Sequence, residues 1–305
     1  MALDFIYDTP NAIVLLIFIL IFLSLALIGL YIFTLFTEDG FNKKFNDTNT
    51  GTYIAMVATA MAIIIAFLIT NEYQTYTTTS LNLSREANAI YSLVEILVAF
   101  DTPEADVGIT FATNYLCSII NVEFPEMQDG ILPGANVCLD SLQAVVLDLT
   151  PENSKQVVLY DKAIDQLDLA INLRNYRLEQ SIASLPVEFW WLLIIGISIL
   201  IVLTWFINGP LIYRVIMTSL VTTIYSVLIA LIFLLNLPFR GYFALSDSAF
   251  RLVLDQLGFD PANCPAGECT PIESSETNLV KNKTSNIIKN KVSSCIKSSK
   301  DINYK

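Results

Sequence analysis

Five hydroxyl residues, Thr218, Ser219, Thr222, Thr223 and Ser226, recur at steps of three and four inside a long apolar run. That spacing puts them on one face of a helix. In lipid such a face packs against a neighbouring helix through small polar contacts, the first expectation here. Alternatively it lines a wet pore, its oxygens replacing part of an ion's hydration shell. Asn71 and Glu72 stand just past another apolar run. Repeated around a symmetry axis, Glu72 would form a carboxylate ring that selects cations; a solvated helix-end carboxylate is the simpler reading.

Other chemistry is scarce. The chain has no histidine, which excludes an imidazole base, a His–metal site and a Ser-His-Asp triad within it. No phosphate-binding glycine loop, zinc-protease helix or nucleophile elbow is present, so no enzyme, cofactor or metal is expected. Five cysteines stand at Cys117, Cys138, Cys264, Cys269 and Cys295. Cys264 and Cys269 are close enough in sequence to close as a disulfide, with free thiols as the plain alternative. A thiolate zinc site from Cys117, Cys138, Cys264 and Cys269 has the wrong spacing for a ribbon or finger.

The elements that must position these residues follow from hydropathy. The 305 residues are 54% hydrophobic and 15% charged, against about 25% charged in a soluble domain. The excess lies in four runs, 11–36, 52–70, 189–207 and 211–235. Each approaches or exceeds the roughly 20 residues that cross a bilayer, and backbone groups in lipid must be paired internally, so the runs are helices. Only Arg214 is charged within them, near enough to an end to snorkel to the interface. The first run lacks the basic flank and short core of a signal peptide. Asn208-Gly209-Pro210 breaks the last two runs into a hairpin. The expected fold is all-α: a four-span integral membrane protein with a helical extramembrane bundle between spans two and three.

The boundaries predicted are an N-terminal segment 1–70 carrying the first two spans, an acidic helical domain 71–188, the hairpin 189–237, an amphipathic piece 238–260 and a disordered tail 261–305. Within the domain, Asp101-Thr102-Pro103 stops one helix, residues 123–133 read as a loop, and a helix starts near Pro151 with Thr150 as its N-cap. The domain carries 17 Asp and Glu against five Lys and Arg, either a solvated surface or a wall that concentrates cations. The net charge of −12 argues against nucleic acid as a partner. Both termini and the domain share one membrane side. Lys43 and Lys44 in the opposite loop, with the cysteines, tilt the domain to the extracytoplasmic side. Small residues Ala55, Thr59, Ala62 and Ala66 form a packing stripe on the second span.

In their order around four spans, several stretches resemble the bestrophin-like family of membrane proteins. They are Asn46-Asp47-Thr48-Asn49-Thr50-Gly51 before the second span, Arg85-Glu86-Ala87 after it, Tyr176-Arg177 with Pro186 and Trp190, and Asn236-Leu237-Pro238-Phe239-Arg240-Gly241 closing the fourth. The resemblance implies a lipid-embedded homo-oligomer, a pentamer by analogy with bestrophins, and an ion channel with inorganic ions as its partners. Its permeant ion is an anion by that analogy and a cation by local acidity. The alternative is a non-conducting anchored module that binds a partner through its helical domain. The family usually carries Asp where this chain has Asn236, which puts any role of that charge in question. Arg240 is expected to complement the carboxyl end of the fourth helix, and Glu86 to pair with Arg177.

Overall fold

The computed structural model describes residues 11–36, 50–207, 209–241, 243–260 and 264. Among them the helices are α1 (Asn11–Phe36), α2 (Thr50–Phe100), α3 (Pro103–Ser118), a π turn (Ile119–Glu123), α4 (Phe124–Gln128), α5 (Val137–Asp148), α6 (Ser154–Ile182), α7 (Val187–Trp205), α8 (Leu211–Leu235) and α9 (Ser248–Leu257). No strand occurs among the described residues. The chain divides into two compact units, Met1–Thr78 with Ala183–Ala244, and Thr79–Ile182 with Leu245–Lys305.

In the first unit α8 packs against α1 and α7. The shared core joins Ala26 of α1, Met61, Ile65 and Leu68 of α2, Leu193, Ile197 and Leu200 of α7, and Tyr225, Ile229 and Ile232 of α8. Outside this core the unit is apolar where a soluble fold would be polar: Leu16, Leu20, Ile28, Ile63, Phe67, Ile195 and Leu220 are all exposed. Helices α1, α2, α7 and α8 are each long and apolar enough to cross a membrane, and hydrocarbon is the solvent such surfaces require. Pro186 and Pro210 occupy the N-caps of α7 and α8, where a missing N–H costs nothing.

One close approach sets the packing of α1 on α7. The indole of Trp205 lies over Gly29, and a Cβ there would stand 2.6 Å from ring atoms Cη2 and Cζ2. A rigid ring held between Phe33 and the helix cannot retreat as a flexible side chain does. Gly29→Ala is therefore expected to cost about 1–3 kcal/mol, the usual penalty of overpacking, read as a lowered melting temperature of the purified protein. Gly196 also faces a side chain, Met61, but a thioether can turn aside, so Gly196→Ala should cost less.

The second unit is built by ordinary capping. Asp101 adopts positive φ and Thr102 accepts the Ala105 N–H, with Pro103 in the first turn of α3, so α2 stops where the sequence indicates. Two expectations need correction. Residues 123–133 are not all loop: α3 runs through the π turn into α4, because Pro125 sits in α4's first turn, where its ring fits. The N-cap of α6 is Asn153, whose Oδ1 accepts the Gln156 N–H, and not Thr150. Gly258, with φ 90°, ends α9 in the left-handed conformation.

Candidate functional site

The second unit closes around four charged side chains. Arg177 of α6 is 1% exposed. Its Nε and Nη2 donate to the two oxygens of Glu86 on α2 at 2.9 and 3.0 Å, and Nη2 donates to Glu123 Oε2 at 2.6 Å. Arg174, one turn earlier, donates through Nε and Nη2 to Glu123 Oε1 at 3.0 and 2.8 Å. Two cations thus meet two carboxylates, and the buried set is neutral.

Neutral partners complete it. The Tyr115 hydroxyl donates to Glu86 Oε1 at 2.8 Å, and Asn136 Nδ2 donates to Glu123 Oε1 at 2.7 Å. Asn136 also caps α5, its Oδ1 accepting the N–H groups of Cys138 and Leu139. The Arg177 guanidinium lies 5.8 and 5.7 Å from the ring centres of Phe124 and Phe250, within cation–π range. The electrostatics follow. Burial alone would raise the Glu123 carboxyl, but Arg177 and then Arg174 outweigh it and hold it below the usual carboxylate range. Burial disfavours the Arg177 charge, yet Glu86 and Glu123 hold its pKa above the ordinary value. Burial, then the charge of Glu86, pushes the Tyr115 hydroxyl well up.

The pair Glu86–Arg177 was legible in the sequence; Glu123, Arg174, Tyr115 and Asn136 were missed as members. The one signal for them was Arg174 and Arg177 at a three-residue step, a spacing that puts two cations on one helix face.

The hydroxyl face of α8 turns inward within one chain. Thr218, Thr222 and Ser226 are buried, and Ser219 and Thr223 half-buried. The hydroxyls of Thr218 and Thr204 are 2.8 Å apart, and Ser226 donates to the Thr222 carbonyl. On α2, Asn71 is exposed while Glu72 is 9% exposed, so the two do not share a surface. Ala55, Thr59, Ala62 and Ala66 are all exposed. Gly51 lies in the first turn of α2 with no described residue close to it; Asn46 and Asp47 lie outside the described residues. After α8, Asn236 forms the C-cap, and its Oδ1 accepts the Leu185 N–H at 2.6 Å. An amide oxygen accepts this N–H as well as a carboxylate would. Pro238 and Phe239 are buried, Arg240 is half-buried, and Gly241 has φ 79°.

Two further side chains depart from expectation. Cys264 is bonded to Cys117, with Cα atoms 5.5 Å apart, and not to Cys269, which lies outside the described residues; tertiary proximity overrides the short sequence spacing. Cys138 is likewise disulfide-bonded. Arg214 does not snorkel: it is 7% exposed, folded back so that Nη1 reaches the Trp205 carbonyl at 3.3 Å. No group of three or more metal-ligating side chains occurs among the described residues.

The family model of the bestrophin-like domain matches residues 20–250. The chain belongs to the bestrophin-like family. A crystal structure of a bacterial bestrophin homolog from Klebsiella pneumoniae superposes with a TM-score of 0.61 at 13% identity, covering 80% of this chain and 99% of that one. A second variant of that homolog covers 88% and 98% with a TM-score of 0.59. A crystal structure described as a membrane protein covers 79% and 97%, also at 0.59 and 13% identity. A comparison with curated proteins gives no significant match. At such identities the likeness is one of fold: this bestrophin-like chain is an all-helical membrane protein with the bestrophin architecture.

Proposed function

We propose that the protein is an oligomeric ion channel whose water-filled pathway runs between copies of the chain along the uncovered face of α2. The observation that carries this reading is the exposure of much of the α2 surface in one chain. Small residues Ala55, Thr59, Ala62 and Ala66 leave room for close approach of a second helix. Farther along α2, and about a third of a turn round the helix from that stripe, Asn71, Gln74 and Thr78 stay exposed, and amide and hydroxyl oxygens there suit a hydrated ion. The α8 hydroxyls Thr218, Thr222 and Ser226 serve packing in this reading, with Ser219 and Thr223 beside them.

The favoured permeant ion is a cation. Arg174 and Arg177 are spent inside the second unit, which leaves Arg85, Lys155 and Lys162 as the basic residues of 71–188 outside the buried set, among many carboxylates. Such a surface raises the local cation concentration. We place the second unit on the extracytoplasmic side, because oxidised Cys117, Cys138 and Cys264 are at home in an oxidising compartment.

Protein reconstituted in liposomes with a potassium chloride gradient is expected to conduct with a reversal potential toward that of potassium, and Asn71→Leu with Gln74→Leu to cut the current several-fold. A reversal potential toward chloride would overturn the cation assignment. Absence of any current over a range of voltage and pH would leave the partner-binding module as the reading.

A further inference from the structure

At the hairpin that joins α7 to α8 a cation has no counter-ion among the described residues. Arg214 is 7% exposed, and its Nε has no hydrogen-bond partner among the described residues. Its Nη1 donates to the Trp205 carbonyl. The buried indole N–H of that same Trp205 also has no acceptor among the described residues. Two buried donors, on residues nine apart in sequence, are thus left without partners there, and burying such groups unpaired is costly.

Among the described residues no acidic side chain stands at this corner. Among the described residues of the first unit the acidic ones are Glu72 and Glu188. Glu188 lies at the opposite end of α7, about 25 Å away along the axis from the helix rise. The dipole of α8 adds to the deficit. Pro210 occupies its N-cap and gives no side-chain hydrogen bond to the first turn; its carbonyl accepts the Tyr213 and Arg214 N–H groups, which leaves the Leu211 and Ile212 N–H groups without an intrahelical acceptor. Helix dipole and guanidinium together present positive potential at the start of α8.

We infer that this corner binds a phosphate group, and that the phosphate is the headgroup of an anionic lipid. A guanidinium fork matches two phosphate oxygens. The hairpin turn joins two helices that cross the bilayer, so it sits at the depth where phosphates are densest. The flanking Leu211, Ile212 and Tyr213 are exposed, an apolar and aromatic rim that suits the acyl–headgroup boundary. The inference is independent of conduction.

The test is thermal melting of the purified full chain in detergent, titrated with phosphatidylglycerol, with phosphatidylcholine, or with inorganic phosphate. Phosphatidylglycerol is expected to raise the melting temperature at concentrations where phosphatidylcholine does not. Arg214→Gln should weaken that response about tenfold or more, the loss that a charge-assisted contact brings. Trp205→Phe, which keeps a ring over Gly29 and removes the donor, should weaken it less, and it gives the reading if Arg214→Gln does not fold. Inorganic phosphate acting alone at similar concentration would confirm the anion site and overturn the lipid as its source. An undiminished phosphatidylglycerol response in Arg214→Gln or, failing its folding, in Trp205→Phe would overturn the proposal. So would a combined Glu38→Gln, Asp39→Asn and Asp47→Asn variant that abolishes the response, since the counter-charge would then be a carboxylate of the chain itself.

Discussion

Replacing Arg177 by methionine is expected to leave little folded protein. The side chain is of similar length and apolar, so the loss is electrostatic. Glu86 and Glu123 would remain inside the second unit, Glu86 with Tyr115 and Glu123 with Arg174 and Asn136. Removing one partner from a buried ion set costs about 3–5 kcal/mol, because the opposite charge stays desolvated. Whole domains are stable by about 5–15 kcal/mol, so this single change consumes much of the margin. The measure is the monodisperse fraction after detergent extraction, followed by thermal melting of what survives. Neutralising the stranded charges in the same chain, as Arg177→Met with Glu86→Gln and Glu123→Gln, should recover much of the loss. If Arg177→Met melts like the parent, the charges are not buried in solution. The same network sets an acid limit. Because the Glu123 pKa is lowered on folding, its contribution is complete above the unfolded carboxyl value of about 4.3. It is lost as pH falls through the lower folded value. Melting temperature should be flat from neutral pH to about 4.5 and fall below it, less steeply in Glu123→Gln.

Much of this fold is written locally. Four apolar runs exceed any soluble alternative, and Thr102-Pro103 and Asn208-Gly209-Pro210 carry their own stop signals. The parts that were not legible depend on partners far away in sequence. Pro125 reads as a loop residue until its neighbours are seen to be helical, since proline fits the first turn as well as it fits a turn. Glu123 is one of many carboxylates in an acidic segment, and only the approach of α6 marks it as buried. Arg214 stands near a span end, where snorkelling is the default; that it folds back under Trp205 follows from a contact nine residues away. The α8 hydroxyls show the limit of pattern. Three- and four-residue spacing tells which residues share a face, while the neighbour that face meets, Thr204 of α7 here, is a tertiary matter.

Reduction, or Cys117→Ser, is expected to destabilise the second unit by about 2–3 kcal/mol. The bond joins residues 147 apart. For a free chain the loop-closure model gives about 5 kcal/mol at that length. A membrane protein does not unfold into a free chain, however, because spans stay threaded when the extramembrane part melts. Helices α7 and α8 lie between the two cysteines and, as a hairpin, return the chain to the side it left. The ends are therefore already confined, and the closure entropy that the disulfide removes is smaller. A drop on the order of 10 °C in melting temperature follows for a unit of this size. The same bond reports sidedness. In intact cells a membrane-impermeant maleimide should fail to label Cys117 until an impermeant reductant is added, and then label it. Labelling only after lysis would put the unit in the cytoplasm, and labelling without reductant would show that Cys117 and Cys264 are free thiols. A cytoplasmic result would leave the buried ion set and the four spans untouched, since both rest on burial and hydropathy. It would remove the oxidising compartment as the reason the cysteines are paired.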